Sequence, residues 1–146
     1  MQLDATLRTT APAARVLGYV ADLADYPQWM SLVHSATAVP AAAVPTWDVE
    51  LRAKVGPFAR SKRLRMVRTT HDTTNPARIV FERRELDGRE HAAWRLEVTV
   101  NTTTPSATEL VMQLHYDGRF FVSVVEAILQ QSIDAGRSKL AALLEG

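Results

Sequence analysis

The chain has 146 residues, 47% of them hydrophobic and 23% charged, with a net charge of +1. Those proportions describe one globular domain, residues 1–146, long enough to bury a real core. The near-neutral balance gives no overall field for nucleic acid or an anionic surface, and the absence of cysteine excludes disulfides, thiolate metal sites and Cys nucleophiles while fitting a reducing cytoplasm.

No basic-then-apolar leader is expected, and Ala38 to Pro45, the longest weakly polar run, is an Ala- and Pro-rich loop rather than a membrane span. Leu3, Ala5 and Leu7 alternate with polar residues, which predicts a half-buried strand. Thr10 and Pro12 then read as a helix start. Val16, Leu17, Val20 and Leu23 supply an apolar face as far as Ala24, and Pro27 stops the helix. Tyr26-Pro27-Gln28-Trp29-Met30 reads as a tight turn or second short helix. Ser35 to Val39 reads as a strand.

From Trp47 to Tyr116 the pattern is alternation. Trp47, Val49, Leu51, Ala53 and Val55 alternate with charged residues until Gly56-Pro57 turns the chain. Arg60 to Thr70, Ala77 to Leu86, Glu90 to Thr102 and Thr108 to Tyr116 follow as strands. Asn75-Pro76 and Asp87-Gly88 mark turns between them, the latter a two-residue hairpin signal. Phe120 to Glu145 reads as one long helix. At about 100° per residue, Phe121, Val125, Ile128, Leu129, Leu140 and Leu143 form its apolar stripe, and Glu126, Gln130, Asp134, Arg137 and Ala141 fall opposite. Ser132 and Gly136 interrupt the stripe with small residues, which either admit a close neighbour or leave space. Segregated strands and helices predict an α+β fold with helices on one face of an antiparallel sheet.

The turns also predict register. Gly56-Pro57 pairs Val49 with Leu64 and Trp47 with Met66. A two-residue turn at Asp87-Gly88 pairs Arg83 with Ala92, Phe81 with Trp94 and Ile79 with Leu96. Opposed residues share a face, so Trp47, Met66, Phe81, Trp94 and Leu114 become one inner layer. Arg83 is then inward too, near Lys62, Glu85 and Glu90. An inward Arg must meet an acid or a ligand: either an Arg83–Glu85/Glu90 pair, or a fork presented to a ligand carboxylate or carbonyl with Tyr116 beside it.

The stretches Ala11-Pro12-Ala13-Ala14-Arg15-Val16-Leu17 and Asp22-Leu23-Ala24-Asp25-Tyr26-Pro27-Gln28-Trp29, the strand run with Phe81 and Trp94, and the long last helix together resemble the polyketide cyclase/dehydrase branch of the Bet v 1-like (START-like, SRPBCC) superfamily. The resemblance covers nearly the whole chain. It implies a helix-grip fold, with a curved sheet of about seven antiparallel strands around the C-terminal helix and two short helices after the first strand. It also implies a hydrophobic ligand between sheet and helix. The related aromatases would carry additional aromatic residues where this chain has Lys62, Leu64 and Met66, which places cyclase activity second to binding.

The histidines, His34, His71, His91 and His115, lack metal-ligand spacing and read as solvent-facing. No metal or cofactor is expected, and neither a nucleophile elbow nor a phosphate loop is present. Arg52, Lys54, Arg63 and Arg65 interleave with Glu50, Glu82 and Glu97 as a solvated charge ladder, not a nucleic-acid patch. The expected function is binding or transport of an apolar or aromatic small molecule by a monomer or homodimer. The alternatives are an aromatase/cyclase, or a protein-interaction module with a filled interior. The expected ligand-contacting set is Trp47, Leu64, Met66, Phe81, Arg83, Trp94, Leu114, Tyr116, Ile128, Ser132 and Gly136, with Tyr26 and Trp29 as the rim.

Overall fold

A computed structural model describes residues 1–118 and 122–146. Seven strands form one antiparallel sheet: β1 Gln2–Thr9, β2 Val33–Ala38, β3 Thr46–Val55, β4 Phe58–Asp72, β5 Ala77–Arg83, β6 Trp94–Thr104 and β7 Ala107–Tyr116, in the order β1-β7-β6-β5-β4-β3-β2. Helix α1 (Ala13–Val20) and a 3-10 helix (Leu23–Gln28) join β1 to β2, and α2 (Val122–Glu145) ends the chain. The sheet curves around α2, the helix-grip α+β arrangement that the segregated pattern predicts. The expected places of Phe120 and Phe121 at the start of α2 lie outside the described residues.

Alternation fixes which residues face the helix. Val49, Leu64, Ile79, Phe81, Val98, Val100 and Leu110 are all at most 4% exposed. The β3–β4 hairpin has the expected register, Trp47 opposite Met66 and Val49 opposite Leu64. Gly56 makes this turn at φ +60°, a conformation costly for any residue with a Cβ.

The β5–β6 register is corrected by two residues. Phe81 pairs with Leu96 and Ile79 with Val98, not with Trp94 and Leu96. Asp87-Gly88 is not a two-residue turn between strands, because residues 84–93 form a longer loop with bonds of its own. The Asp87 carboxylate accepts the Arg89 N–H at 3.0 Å and lies 2.8 Å from His91 Nε2, and Arg84 N–H bonds back to the Arg65 carbonyl. A slip of two leaves every side chain on its face, so Phe81, Trp94 and Arg83 stay inward. The expected single layer is nevertheless broken up. Met66 pairs with Arg83, and Phe81 lines up with Leu96, Leu114 and Leu3.

Helix α1 is shorter than expected and ends at Val20. Its last carbonyls have no partners within the helix. The Tyr26 hydroxyl donates to the Val20 carbonyl at 2.9 Å, Trp29 Nε1–H to Tyr19 at 3.0 Å, and the Arg68 guanidinium to Ala21 at 2.8 Å. A cation at a helix C-terminus is also favoured by the helix dipole. These bonds sink Tyr26 and Trp29, each 2% exposed, into the core. Asp22 accepts the Ala24 N–H and starts the 3-10 helix that carries them.

Helix α2 buries a different stripe from the one its sequence suggests. Leu129, Gly136, Leu140 and Leu144 are buried, whereas Val125 and Ile128 are half-buried and Val124 is 48% exposed. On the helical wheel the buried stripe is rotated by roughly 60° from the expected one. The early apolar residues pulled the expected stripe the wrong way.

Candidate functional site

A cavity of about 110 Å³ lies between the sheet and the middle of α2. Leu3, Ala5 and Leu7 on β1 and Leu110, Met112 and Leu114 on β7 wall one side. Val49 and Leu51 on β3 and Leu64 and Met66 on β4 wall the other. Phe81, Trp94 and Leu96 lie between them, Tyr26, Trp29 and Met30 close one end, and Ile133, Arg137 and Leu140 of α2 cover it. The walls are almost wholly hydrocarbon, and the polar atoms of Tyr26 and Trp29 are already bonded to α1. Burial also drives the Tyr26 phenol far above its ordinary pKa, so it neither ionises nor gives up a proton at neutral pH.

Five expected ligand-contacting residues border this space: Leu64, Met66, Phe81, Trp94 and Leu114. Tyr26 and Trp29 border it as well, but as its buried end rather than an exposed rim. Trp47 stands behind Phe81, edge-on to it at 5.6 Å, with the Arg68 guanidinium 5.6 Å from the centre of the Trp47 ring. Trp47 therefore extends an aromatic cluster with Phe81, Tyr26 and Trp29 and does not reach the cavity. Tyr116 stacks on Trp94 at 4.6 Å, outside the wall. Ile128 and Ser132 sit on the part of α2 that the rotated stripe turns away, while Ile133 takes the expected place.

Gly136 makes a close contact, not a space. A Cβ there would lie 2.8 Å from Met30 Cε and 3.2 Å from the Trp29 carbonyl. The small residue lets the end of the 3-10 helix lie directly against α2.

Arg83 faces inward, with its side chain 8% exposed, but it is fully engaged. It donates to Glu85 Oε1 at 3.0 Å and to the Ala92 carbonyl at 3.2 Å, and lies 3.3 Å from His91 Nδ1. A guanidinium can only donate, so Nδ1 accepts and the His91 proton sits on Nε2, toward Asp87. His91, expected to be a free solvent-facing side chain, is thus part of an Asp87–His91–Arg83–Glu85 chain. Glu85 is the acidic partner, and Glu90 has no bond to Arg83. Burial raises the Glu85 pKa, but the Arg65 N–H, the Arg83 bond and the Arg83 charge outweigh it and hold the carboxyl below its ordinary value. Burial and the Arg83 charge lower the neighbouring Lys62, with Glu85 opposing them.

Sequence reasoning missed Arg137, the one cation among the described residues that borders the cavity. Its spacing to Ile133 and Leu140, four and three residues, is the available signal, hidden by the misplaced stripe. The Trp94 indole N–H, also in the wall, is buried without a partner among the described residues. The charge ladder forms in part: Glu50 meets Arg52 and Arg63, but Lys54 and Arg65 make no ion pair among the described residues, and the partners of Glu82 and Glu97 are Arg84, Arg95 and Arg78.

A curved seven-stranded sheet gripping a long helix over an apolar cavity defines a START-like helix-grip domain. The chain belongs to the family described as polyketide cyclase / dehydrase and lipid transport, whose family model matches residues 2–145. No curated protein matches the chain in sequence. Among solved structures, a protein from Thermus thermophilus is similar at 17% identity and a TM-score of 0.75, over 99% of this chain and 97% of that one. The Zhui aromatase/cyclase from a Streptomyces species is similar at 15% identity and a TM-score of 0.71, over 99% and 93%. A START superfamily protein from Mycobacterium smegmatis is similar at 16% identity and a TM-score of 0.71, over 99% and 97%. Such identities establish the shared fold.

Proposed function

We propose that the protein binds a small hydrophobic or aromatic molecule in the cavity between the sheet and α2. The observation that carries this reading is the almost wholly hydrocarbon space of about 110 Å³ between sheet and helix. A dry apolar cavity of roughly 150 Å³ takes up benzene; this space, at about 110 Å³, is smaller, so it suits a slender chain, or a single ring for which the half-buried side chains of the wall shift outward. Leu64, Met66, Phe81, Trp94 and Leu114 contact the ligand, and Arg137 meets any polar end at the cavity border.

Binding ranks ahead of cyclisation because the described walls offer little for proton transfer. Their titratable groups are the Tyr26 phenol, committed to Val20, and Arg137, which stays charged. The likeness to an aromatase/cyclase is one of fold.

The test is an NMR titration of the protein with benzene and indole, following the methyl signals of Leu64, Met66, Met112 and Leu114. Ala5→Leu is the blocking variant, since it grows three carbons from a wall position. It should lose the titration shifts and gain about 1–2 kcal/mol of stability from the added buried carbons. Absence of saturable shifts in the unsubstituted protein, or binding undiminished in Ala5→Leu, would overturn the reading.

A further inference from the structure

The near-neutral whole conceals one strongly charged element. Residues 51–63, the outer half of the β3–β4 hairpin, hold Arg52, Lys54, Arg60, Lys62 and Arg63 and no acid. Glu50, just behind, is 3.4 Å from Arg52 and 3.8 Å from Arg63. Lys54, Arg60 and Lys62 make no ion pair among the described residues. The arm projects from the core, with every residue from Gly56 to Arg63 exposed.

Its charges are ordered along its length. The tip, Val55-Gly56-Pro57-Phe58, is uncharged. Phe58 is 62% exposed, and the Arg60 guanidinium lies 5.7 Å from the centre of its ring. The next rungs pair Lys54 with Ala59 and Ala53 with Arg60, followed by Leu51 with Lys62. At about 3.3 Å per residue, Arg60 lies roughly 7 Å along the strand from Phe58. Leu51, opposite Lys62, already borders the cavity.

We infer that this arm docks the protein on an anionic lipid bilayer, with Phe58 entering the headgroup–acyl boundary and Lys54, Arg60 and Lys62 at the level of the lipid phosphates. An apolar side chain that enters the interface sits roughly 5–10 Å deep, with cations above it; Arg60 has that spacing from Phe58, Lys54 stands one rung from Phe58, and Lys62, about 13 Å along the strand, lies at the outer edge of the headgroups. Long basic side chains lay their stems along the apolar zone and lift their charges to the phosphates. An acidic protein or a nucleic acid would use the cations but gives no reason for an uncharged tip carrying an exposed Phe. No helix among the described residues is long and apolar enough to cross a membrane, so this is attachment at a surface. Because Leu51 stands between arm and cavity wall, docking brings the cavity to the bilayer.

Co-sedimentation with vesicles at low ionic strength tests the inference. The protein should bind vesicles containing phosphatidylglycerol and not vesicles of phosphatidylcholine alone. Replacing Lys54, Arg60 and Lys62 together by Gln should weaken binding on the order of 100-fold, from about 1 kcal/mol per cation at the surface. Phe58→Ser should weaken it roughly 10-fold, whereas Arg8→Gln with Lys139→Gln should leave it largely intact. All the substituted positions are exposed, and unchanged thermal unfolding confirms that each variant folds. Failure to bind phosphatidylglycerol vesicles overturns the inference. So does binding that Phe58→Ser leaves unchanged, which would mark the arm as a purely electrostatic contact for an acidic protein or a nucleic acid.

Discussion

Arg83→Met separates a structural ion pair from a ligand-reading one. In the fold Arg83 is 8% exposed and its partner Glu85 20%, and the guanidinium makes bonds to Glu85, the Ala92 carbonyl and His91. Breaking a buried pair by removing one partner costs 3–5 kcal/mol, chiefly because the other charge is stranded. Glu85 keeps some water and its bond from the Arg65 N–H at 3.0 Å, so the expected loss is at the lower end, about 3 kcal/mol. For a chain of this length that lowers the melting temperature by roughly 10 °C. The pH dependence supplies a second signature. Glu85 is held below its ordinary carboxyl value, so its contribution to folding is present above that value and lost as pH falls through the folded-state pKa. Without Arg83, burial dominates and the Glu85 pKa rises. The gap between variant and parent should therefore be widest at neutral pH and narrow in acid, below about pH 4.5. Urea unfolding at both pH values measures it. Adding Glu85→Gln, which keeps an acceptor for the Arg65 N–H, should recover most of the loss. A neutral-pH loss under about 1 kcal/mol, or a gap that acid leaves unchanged, would refute the argument.

Other substitutions probe the remaining features. Gly136→Leu should destabilise the protein by about 1–3 kcal/mol in denaturant titrations, since its side chain must displace Met30 and press on the Trp29 carbonyl; unchanged stability would mean that α2 has room there. Arg137→Met should weaken a small aromatic acid such as benzoate about 10-fold while sparing benzene, as calorimetry can measure, by removing one charge-assisted hydrogen bond. The Arg78 bond and the Arg95 contact hold Glu97 below its ordinary value against a raising effect of burial. Glu97→Gln should accordingly flatten the fall in stability below about pH 4.5, and an acid limb as steep as the parent's would count against that pair.

What the sequence made legible follows from the kind of signal each element carries. Alternation is a local property, so the inner and outer faces of all the long strands can be read directly, and Gly56-Pro57 fixes one register because it is a true tight turn. Asp87-Gly88 carries the same signal, yet its loop is held by the Asp87–His91–Arg83 bonds, which join residues that no turn preference relates. The burial of Tyr26 and Trp29 depends on unpaired carbonyls at the end of α1, visible only once that helix ends at Val20. The buried stripe of α2 is set by the curve of the sheet, and half-exposed Val125 and Ile128 mislead a periodicity count. The cavity is the hardest feature to read, because it is a small mismatch between two apolar surfaces and no single residue marks it.

The strand order has a consequence in time. β1 is the first strand of the chain, but its only neighbour in the sheet is β7, with Gln2 opposite His115. Strands β2 to β7 pair each with the next through short connections, whose ends find one another with little loop-closure entropy. β1 alone waits for more than a hundred residues of chain before it has an edge to join. The wall of the cavity that carries Leu3, Ala5 and Leu7 can thus join the sheet only after β7 exists, and α2, later still in the chain, covers the space that β1 and β7 then wall.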